Sequence, residues 1–341
     1  CKCKGDCKCK GKGDCKCKGD CKCKGKGDCK GHKGHKCKGH KGHKGHKGHK
    51  CKKHWKKGKK DSLLKLGFLV QPWITSKQDA SPAGDGWGTD SFLKRARIIL
   101  AGKVAKNVSF FVETDNPGLG KDGKWKTPFF IQDAYIDYEI AKELKIAVGM
   151  LLLPFTHQTR QGATSLATLN YHNPFSSGLL AVKDSAWRDM GVEFRGILGG
   201  KWLDYRIGFY NGIRGETSEG FNPNDLPRVA GRLAVNFMEP EEGFFYGGTY
   251  LGKKKVVTLG FGFDLQPDAV LGNTGETAMY TAFSTDIFVD YPICPNMGIS
   301  GQLGGVSFDR GYVLGDDDLY TLSALGGIGA YGDLGLRVHD F

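Results

Sequence analysis

Cysteine and histidine side chains that could bind a metal are concentrated in the first 60 residues of this 341-residue chain. Residues 1–14, CKCKGDCKCKGKGD, recur unchanged as residues 15–28, and a run of Gly-His-Lys triplets follows. Thiolate and imidazole groups at this density suit Cu(I) or Zn(II). The candidate metal ligands are Cys1, Cys3, Cys7, Cys9, Cys15, Cys17, Cys21, Cys23, Cys29, His32, His35, Cys37, His40, His43, His46, His49, Cys51 and His54.

The spacing of these ligands leaves three interpretations of the tail open. Structural zinc sites usually separate their cysteines by two to four residues, whereas the Cys-x-Cys units have a one-residue gap. In an oxidising compartment the same eleven thiols could form disulfides, with one left over. A purely electrostatic arm would bind acidic lipid or lipopolysaccharide phosphate instead. The haem-attachment motif Cys-x-x-Cys-His does not occur, so we expect no covalent haem and no required cofactor.

The charge of the chain divides at about the same place as its composition. Residues 1–60 hold 24 lysines against 4 aspartates, while the rest holds 26 Lys plus Arg against 32 Asp plus Glu. The net charge of +14 therefore belongs to the tail, and nucleic-acid binding by the remainder is not predicted. The tail has no apolar residue except cysteine before Trp55, so we expect it to be disordered.

A second set of chemically active residues lies on an alternating strand. Arg95 and Arg97 occupy one register, and the apolar Ala96, Ile98 and Leu100 occupy the other. Side chains alternate faces along a strand, so one surface is apolar and the other carries fixed positive charge. A soluble sandwich buries its apolar face, whereas a membrane barrel turns that face to lipid and lines a water-filled lumen with the polar one.

Acidic residues share this pattern two strands later. Asp133, Asp137 and Glu139 lie in one register, opposite Ile136 and Tyr138. They are therefore expected to face the same lumen as the arginines. A basic strand near an acidic one predicts a general preference for anions rather than strict selectivity for phosphate.

The same alternation recurs in residues 61–341 and predicts an all-β, antiparallel transmembrane β-barrel of 12 to 16 strands. No run of 18 apolar residues exists that could form a transmembrane helix. Short turns alternate with longer loops, as on the two sides of an outer-membrane barrel. Predicted strands cover 62–73, the pair within 91–115 that turns near Lys106 and Asn107, 129–140, 144–154, 188–198, 202–212, 228–238, 256–266, 278–291 and 298–310, with one or two more in 319–341.

One long connection, residues 155–186, interrupts this rhythm. A loop of this length usually has a function. It could fold inward and narrow a channel, or it could lie outside the barrel with its charges in water. The candidate pore-lining residues that bind anions lie on the alternating strand, on this loop and on the strand after it. They are Arg95, Arg97, His157, Arg160, Lys183 and Arg188.

Several runs in the same order give this chain a likeness to a known family. SFLKRARIILAGKVAKNVSFFVETD, VGMLLLPF before the long loop, RDMGV after it, and GTYLGKKKVVTLGFGFD followed by DIFVDYP resemble the phosphate-selective porin O and P family. The resemblance covers roughly residues 62–310 and excludes the tail. It implies a homotrimer of sixteen-stranded barrels, a third loop that constricts the pore, and a basic lumen that passes anions, including phosphate.

The function predicted from these features is passive diffusion of small anions and polar solutes across the outer membrane of a Gram-negative bacterium, with the tail in the periplasm. The alternative is a protein that handles copper or zinc and uses its barrel mainly as an anchor. An enzyme is not expected, because no GxSxG elbow, HExxH motif or P-loop occurs.

Overall fold

The computed structural model describes residues 2–3, 7–10, 14–17, 21–22, 64–172, 187–213, 222–271, 275–294, 296–309 and 326–338. The chain divides into two compact units, Cys1–Gly58 and Lys59–Phe341. The described part of the first unit contains the short strands β1 (Lys2–Cys3), β2 (Cys7–Lys10), β3 (Asp14–Cys17) and β4 (Cys21–Lys22). β1 pairs with β4 and β2 with β3, both antiparallel. The candidate metal ligands lie outside the residues whose side chains the structure describes.

The described part of the second unit contains one antiparallel sheet of twelve strands, and each strand pairs with its neighbours in sequence. Twelve is the lower end of the predicted range, and the turn at Lys106 and Asn107 is confirmed. The strands are β5 (Leu64–Gln78), β6 (Trp87–Ala105), β7 (Val108–Asp115), β8 (Phe130–Ala141), β9 (Leu144–Leu152), β10 (Arg188–Leu198), β11 (Leu203–Tyr210), β12 (Arg228–Asn236), β13 (Val256–Leu271), β14 (Thr277–Cys294), β15 (Met297–Asp309) and β16 (Gly327–Val338).

The sheet turns its apolar side chains outward and its charged side chains inward. On β6, Arg97 is 7% exposed while the adjacent Ile98 is 43% exposed. On β13, Asp264 is fully buried while Phe261 is 47% exposed. A water-soluble β-sandwich has the reverse arrangement, because water favours the charged face. An apolar outer surface around a polar interior is the arrangement of a transmembrane barrel, as the sequence predicts.

The connections at the two ends of the strands differ in length. At one end, which we call the turn end, four connections comprise two to four residues each: 106–107, 142–143, 199–202 and 295–296. The fifth connection at this end, residues 237–255, comprises 19 residues. The opposite end carries the long loops, including the one between β9 and β10.

The sheet curls so that its two ends approach one three-residue stretch inside it. Arg95 on β6 donates a hydrogen bond to Asn170 Oδ1 at 3.3 Å and lies over the ring of Tyr171. His172 contacts Asp333 on β16, with 3.0 Å between Nε2 and Oδ2. β6, the second strand in the order, and β16, the last, thus both contact the same short stretch of the connection after β9.

Helix is confined to three 3₁₀ turns in the described ranges: Lys121–Gly123, Gln158–Arg160 and Gly199–Lys201. No helix within these described ranges has the length and apolar character needed to cross a membrane.

Candidate functional site: the interior of the barrel

Ion pairs that reach across one intervening strand line the interior wall. Arg188 on β10 donates to Asp133 on β8, with Nε to Oδ1 at 3.0 Å and Nη2 to Oδ2 at 3.1 Å. Arg232 on β12 donates to Asp286 on β14 through both Nη atoms, each at 2.6 Å. Such two-point pairs fix the guanidinium plane as well as its position. They therefore hold three neighbouring strands in one arrangement.

Most of the other buried arginines are also paired with carboxylates, which lie on the same strand, on an adjacent strand or across one strand. Arg97 binds both Glu113 and Asp115 on β7. The remaining wall pairs are Arg195 with Asp137, Arg206 with Asp204, and Arg228 with Asp264. Both charges of each pair are withdrawn from water, so removing one partner would leave the other buried and uncompensated.

Positive and negative charges nearly balance in this interior. Eight arginines and ten carboxylates are buried among the described residues, so the wall as a whole is not uniformly positive. The arginines are Arg95, Arg97, Arg160, Arg188, Arg195, Arg206, Arg228 and Arg232, and the carboxylates are Glu113, Asp115, Asp133, Asp189, Glu193, Asp204, Glu241, Asp264, Asp286 and Asp290.

Arg95 differs from the other seven buried arginines. It is 6% exposed, and its described hydrogen-bond partners are the neutral Gln71 and Asn170. No described carboxylate forms an ion pair with it, whereas Arg97 two residues away has two. A buried cation with only neutral partners retains an attraction for a mobile anion. Arg95 is thus the point of the described wall where positive charge is least compensated.

The connection after β9 folds into the barrel over its described part. We call residues 153–172 the inward loop. Thr156 to Gln161 are at most 1% exposed. Arg160 anchors the loop to β10 by donating to both carboxylate oxygens of Glu193, at 2.8 and 3.0 Å. The loop also contacts β14, where Ser284 donates to the carbonyl of Phe155 at 2.8 Å.

His157 on the inward loop sits at the centre of a buried cluster. Its ring stacks between those of Tyr246 and Phe288, with centroids 4.8 and 3.9 Å away. Its Nε2 lies 2.8 Å from Glu241 Oε2, and its backbone N–H donates to Asp286. Burial raises the pKa of the Glu241 carboxyl, but its contact with His157 and the hydrogen bond from Tyr250 hold that pKa below its usual value.

Glu241 and Tyr246 belong to the 19-residue connection, residues 237–255, which we call the turn-end segment. It enters the barrel from the end opposite to the inward loop and contacts that loop in the interior. The backbone N–H of Tyr246 donates to the carbonyl of Arg160 at 2.8 Å, and that of Gly162 donates to the carbonyl of Tyr246 at 3.2 Å. Two segments from opposite ends of the barrel thus form a backbone bridge in its middle.

A cavity of about 290 Å³ lies between the turn end and the turn-end segment. Its lining includes both basic and acidic residues: Lys142, Glu143, Lys145, Arg195, Glu241 and Glu242. Arg195 is 4% exposed, and its Nε and Nη1 have no hydrogen-bond partner among the described residues. The buried Glu241 is the lining residue that belongs to both this cavity and the contact with His157.

The predicted pore-lining residues divide into two groups. Arg95, Arg97 and Arg188 lie on the inner wall, where Arg95 is within electrostatic reach of the other two. His157 and Arg160 lie on the inward loop, each with its own carboxylate partner. Lys183 lies outside the described residues. Asp133 and Asp137 face inward as the alternation predicts, and both are bound to arginines.

Sequence reasoning missed the second half of the wall and the turn-end segment. The inward arginines of β10 to β12 carry the same alternation signal as Arg95 and Arg97, so pattern alone could have found them. They are Arg195, Arg206, Arg228 and Arg232, and the buried carboxylates missed with them are Glu193, Asp204, Asp264 and Asp286. For the turn-end segment the available signal was its length, with the aromatic run at Phe244 to Tyr246.

The fold and its charged interior define an antiparallel β-barrel with an apolar outer surface. No family model and no curated protein matches the sequence, so the resemblance to the phosphate-selective porins stays a prediction. Among solved structures, the chain is similar to an anion-selective porin from Comamonas acidovorans (15% identity, TM-score 0.48, 80% of this chain and 72% of that one). It is also similar to the outer membrane channel DcaP of Acinetobacter baumannii (13%, 0.37, 72% and 79%) and to the loop L8 deletion mutant of OmpT, an outer membrane protein of Vibrio cholerae (11%, 0.34, 81% and 88%).

Proposed function

We propose that the chain is an outer-membrane porin through which small anions and other polar solutes diffuse passively. The observation that carries this proposal is the distribution of side chains in the sheet, with exposed apolar residues outside and buried charges inside. Lipid favours the outer face, and a polar interior offers permeating solutes a substitute for water. The outer membrane of a Gram-negative bacterium is the compartment that matches a barrel of this kind.

Arg95 supports the preference for anions. Its guanidinium has no carboxylate partner among the described residues, so an anion is the natural ligand for its uncompensated charge. The paired arginines offer successive weaker contacts, because each is shared with a carboxylate. We therefore propose general selectivity for anions, with phosphate as one solute to be tested.

The zero-current potential of the purified chain in a planar bilayer under a salt gradient tests this function. We expect an anion-selective potential with chloride and with phosphate, unchanged after deletion of residues 1–60. Arg95→Gln should move the potential toward zero, while Lys103→Gln, an exposed lysine on the same strand, should leave it unchanged. Absence of channels both from the full chain and from a form in which a short turn replaces residues 240–254 would refute the porin, and a cation-selective potential would refute the anion preference.

We propose metal binding as a second property, carried by the cysteines and histidines of residues 1–60. Titration of the reduced full chain with Zn²⁺ or Cu(I) should show several bound ions, and the chain without residues 1–60 should bind none. Equal binding by both forms would refute the assignment. We also propose a homotrimer, which native mass spectrometry of the detergent-solubilised chain would show.

A further inference from the structure

The turn-end segment is much longer than the other connections at the turn end. The other four connections at the turn end join adjacent strands with two to four residues, whereas this one uses 19. Its first and last residues nevertheless pair like an ordinary hairpin, since the N–H of Glu239 donates to the carbonyl of Lys255 at 2.9 Å. The strands therefore do not need the intervening residues for their connection. The extra chain is free to do something else.

The extra chain fills the barrel. Glu241 and Tyr246 are 3% exposed and Phe244 is 8% exposed. The ring of Phe244 stacks on Tyr135 of β8 at 4.2 Å, and the guanidinium of Arg160 lies 4.3 Å from its centroid. These side chains thus occupy space between the wall and the inward loop.

Arg206 on β11 holds the backbone of the turn-end segment. It donates to the carbonyls of Phe244 at 2.7 Å and Gly243 at 2.8 Å, in addition to its pair with Asp204. These hydrogen bonds are charge-assisted, so water that enters the interior must replace them when the segment moves.

The contact with the inward loop closes the interior at this level. Glu241 binds His157, and Tyr250 donates a hydrogen bond back to Glu241. The backbone bridge between Gln161 and Tyr246 lies beside this cluster. Arg160 and Gln158 are fully buried here, so side chains of the two segments fill the interior at their junction.

We propose that residues 240–254 are a plug, which closes the barrel from its turn end and must withdraw before solutes pass. The inference rests on the proposed porin function and adds a closed and an open state to it. The Glu241–His157 contact is the latch, because it is a buried side-chain hydrogen bond that joins a carboxylate of the plug to the inward loop. Withdrawal leaves the strands intact, since the backbone hydrogen bond between Glu239 and Lys255 closes the hairpin before the plug begins.

Single-channel recordings of three variants in a planar bilayer test the plug. In the first, a short Gly-Ser turn replaces residues 240–254. In the second, Glu241→Gln removes the charge of the latch. The third, Glu242→Gln, is the matched control, because Glu242 is exposed and its nearest described partner is Lys142 at 4.0 Å.

We expect the shortened variant to remain open at all times and Glu241→Gln to raise the open probability by about tenfold or more, the effect of losing a buried charged hydrogen bond. Glu242→Gln should behave as the wild type. If the wild type and the shortened variant conduct equally, the plug is refuted while the porin stands. If no variant conducts although circular dichroism shows a folded barrel, the porin itself is refuted.

Discussion

The guanidinium of Arg232 lies over the backbone of Gly260 as it crosses β13 to reach Asp286 on β14. A Cβ atom at position 260 would overlap Arg232 Nη2. The two 2.6 Å hydrogen bonds to Asp286 fix the guanidinium, so it cannot move aside without giving up the pair. Gly260 on β13 is thus required by an ion pair between the two strands on either side of it, β12 and β14.

Gly260→Ala is therefore expected to destabilise the barrel by about 1–3 kcal/mol, the usual cost of overpacking. Denaturant unfolding in detergent micelles measures this loss. Gly305→Ala is the control, because the nearest atom to a new Cβ there is the carbonyl oxygen of Gly329 at 3.8 Å. Equal stability of the two variants would show that Arg232 does not occupy the space above Gly260.

Arg95 and Arg97 should respond differently to the same substitution. Arg97→Gln leaves Glu113 and Asp115 buried without their cation, and we expect a loss of about 3–5 kcal/mol in the free energy of unfolding. Arg95→Gln breaks hydrogen bonds to neutral groups only, and we expect a loss of about 1 kcal/mol. The two variants lie on the same face of one strand, so their difference in denaturant unfolding isolates the ion pairs. A similar loss for both would contradict the pairing.

The outer face should reject charge in a manner that depends on depth. Phe261 projects from the middle of β13, and Met279 projects near the start of β14. Phe261→Arg is expected to cost about 2–4 kcal/mol in a bilayer, and Met279→Arg about 1 kcal/mol or less. Folding titrations into phospholipid vesicles measure both. Tolerance of arginine at position 261 would argue against a lipid-facing surface.

The latch between the plug and the inward loop should weaken in acid. Burial raises the pKa of Glu241, but its contacts with His157, Tyr250 and Arg206 outweigh burial and lower that pKa below its usual value. Tyr246 is a further titratable group that faces it. A carboxylate with a lowered pKa contributes stability above the ordinary glutamate pKa and loses it as the pH falls through its folded-state pKa. The stability difference between wild type and Glu241→Gln should therefore be constant near neutral pH and shrink in acid.

Thermal unfolding in detergent at a series of pH values follows that difference. Glu242→Gln, whose carboxylate is exposed, should show no such dependence relative to the wild type. A difference for Glu241→Gln that stays constant into the acid range would mean that the Glu241 charge does not support the latch.

The strands could be predicted from sequence because alternation is a local property. β10 begins and ends at the predicted residues 188 and 198. β13 extends to Leu271 rather than to the predicted residue 266, because a bulge after Gln266 breaks the alternation without ending the strand. The single strand β16 lies within the region where one or two were predicted.

The sequence by itself determined which side chains face inward, since the register of a strand assigns each residue to a face. Arg95 and Arg97 were indistinguishable at that level. Only the tertiary structure decided that Arg97 is neutralised by β7 while Arg95 meets Asn170, which is 75 residues away. The plug was likewise invisible, because Glu241 and His157 are 84 residues apart. Such partners depend on how the sheet curls and on where its long connections enter, and no local pattern encodes either.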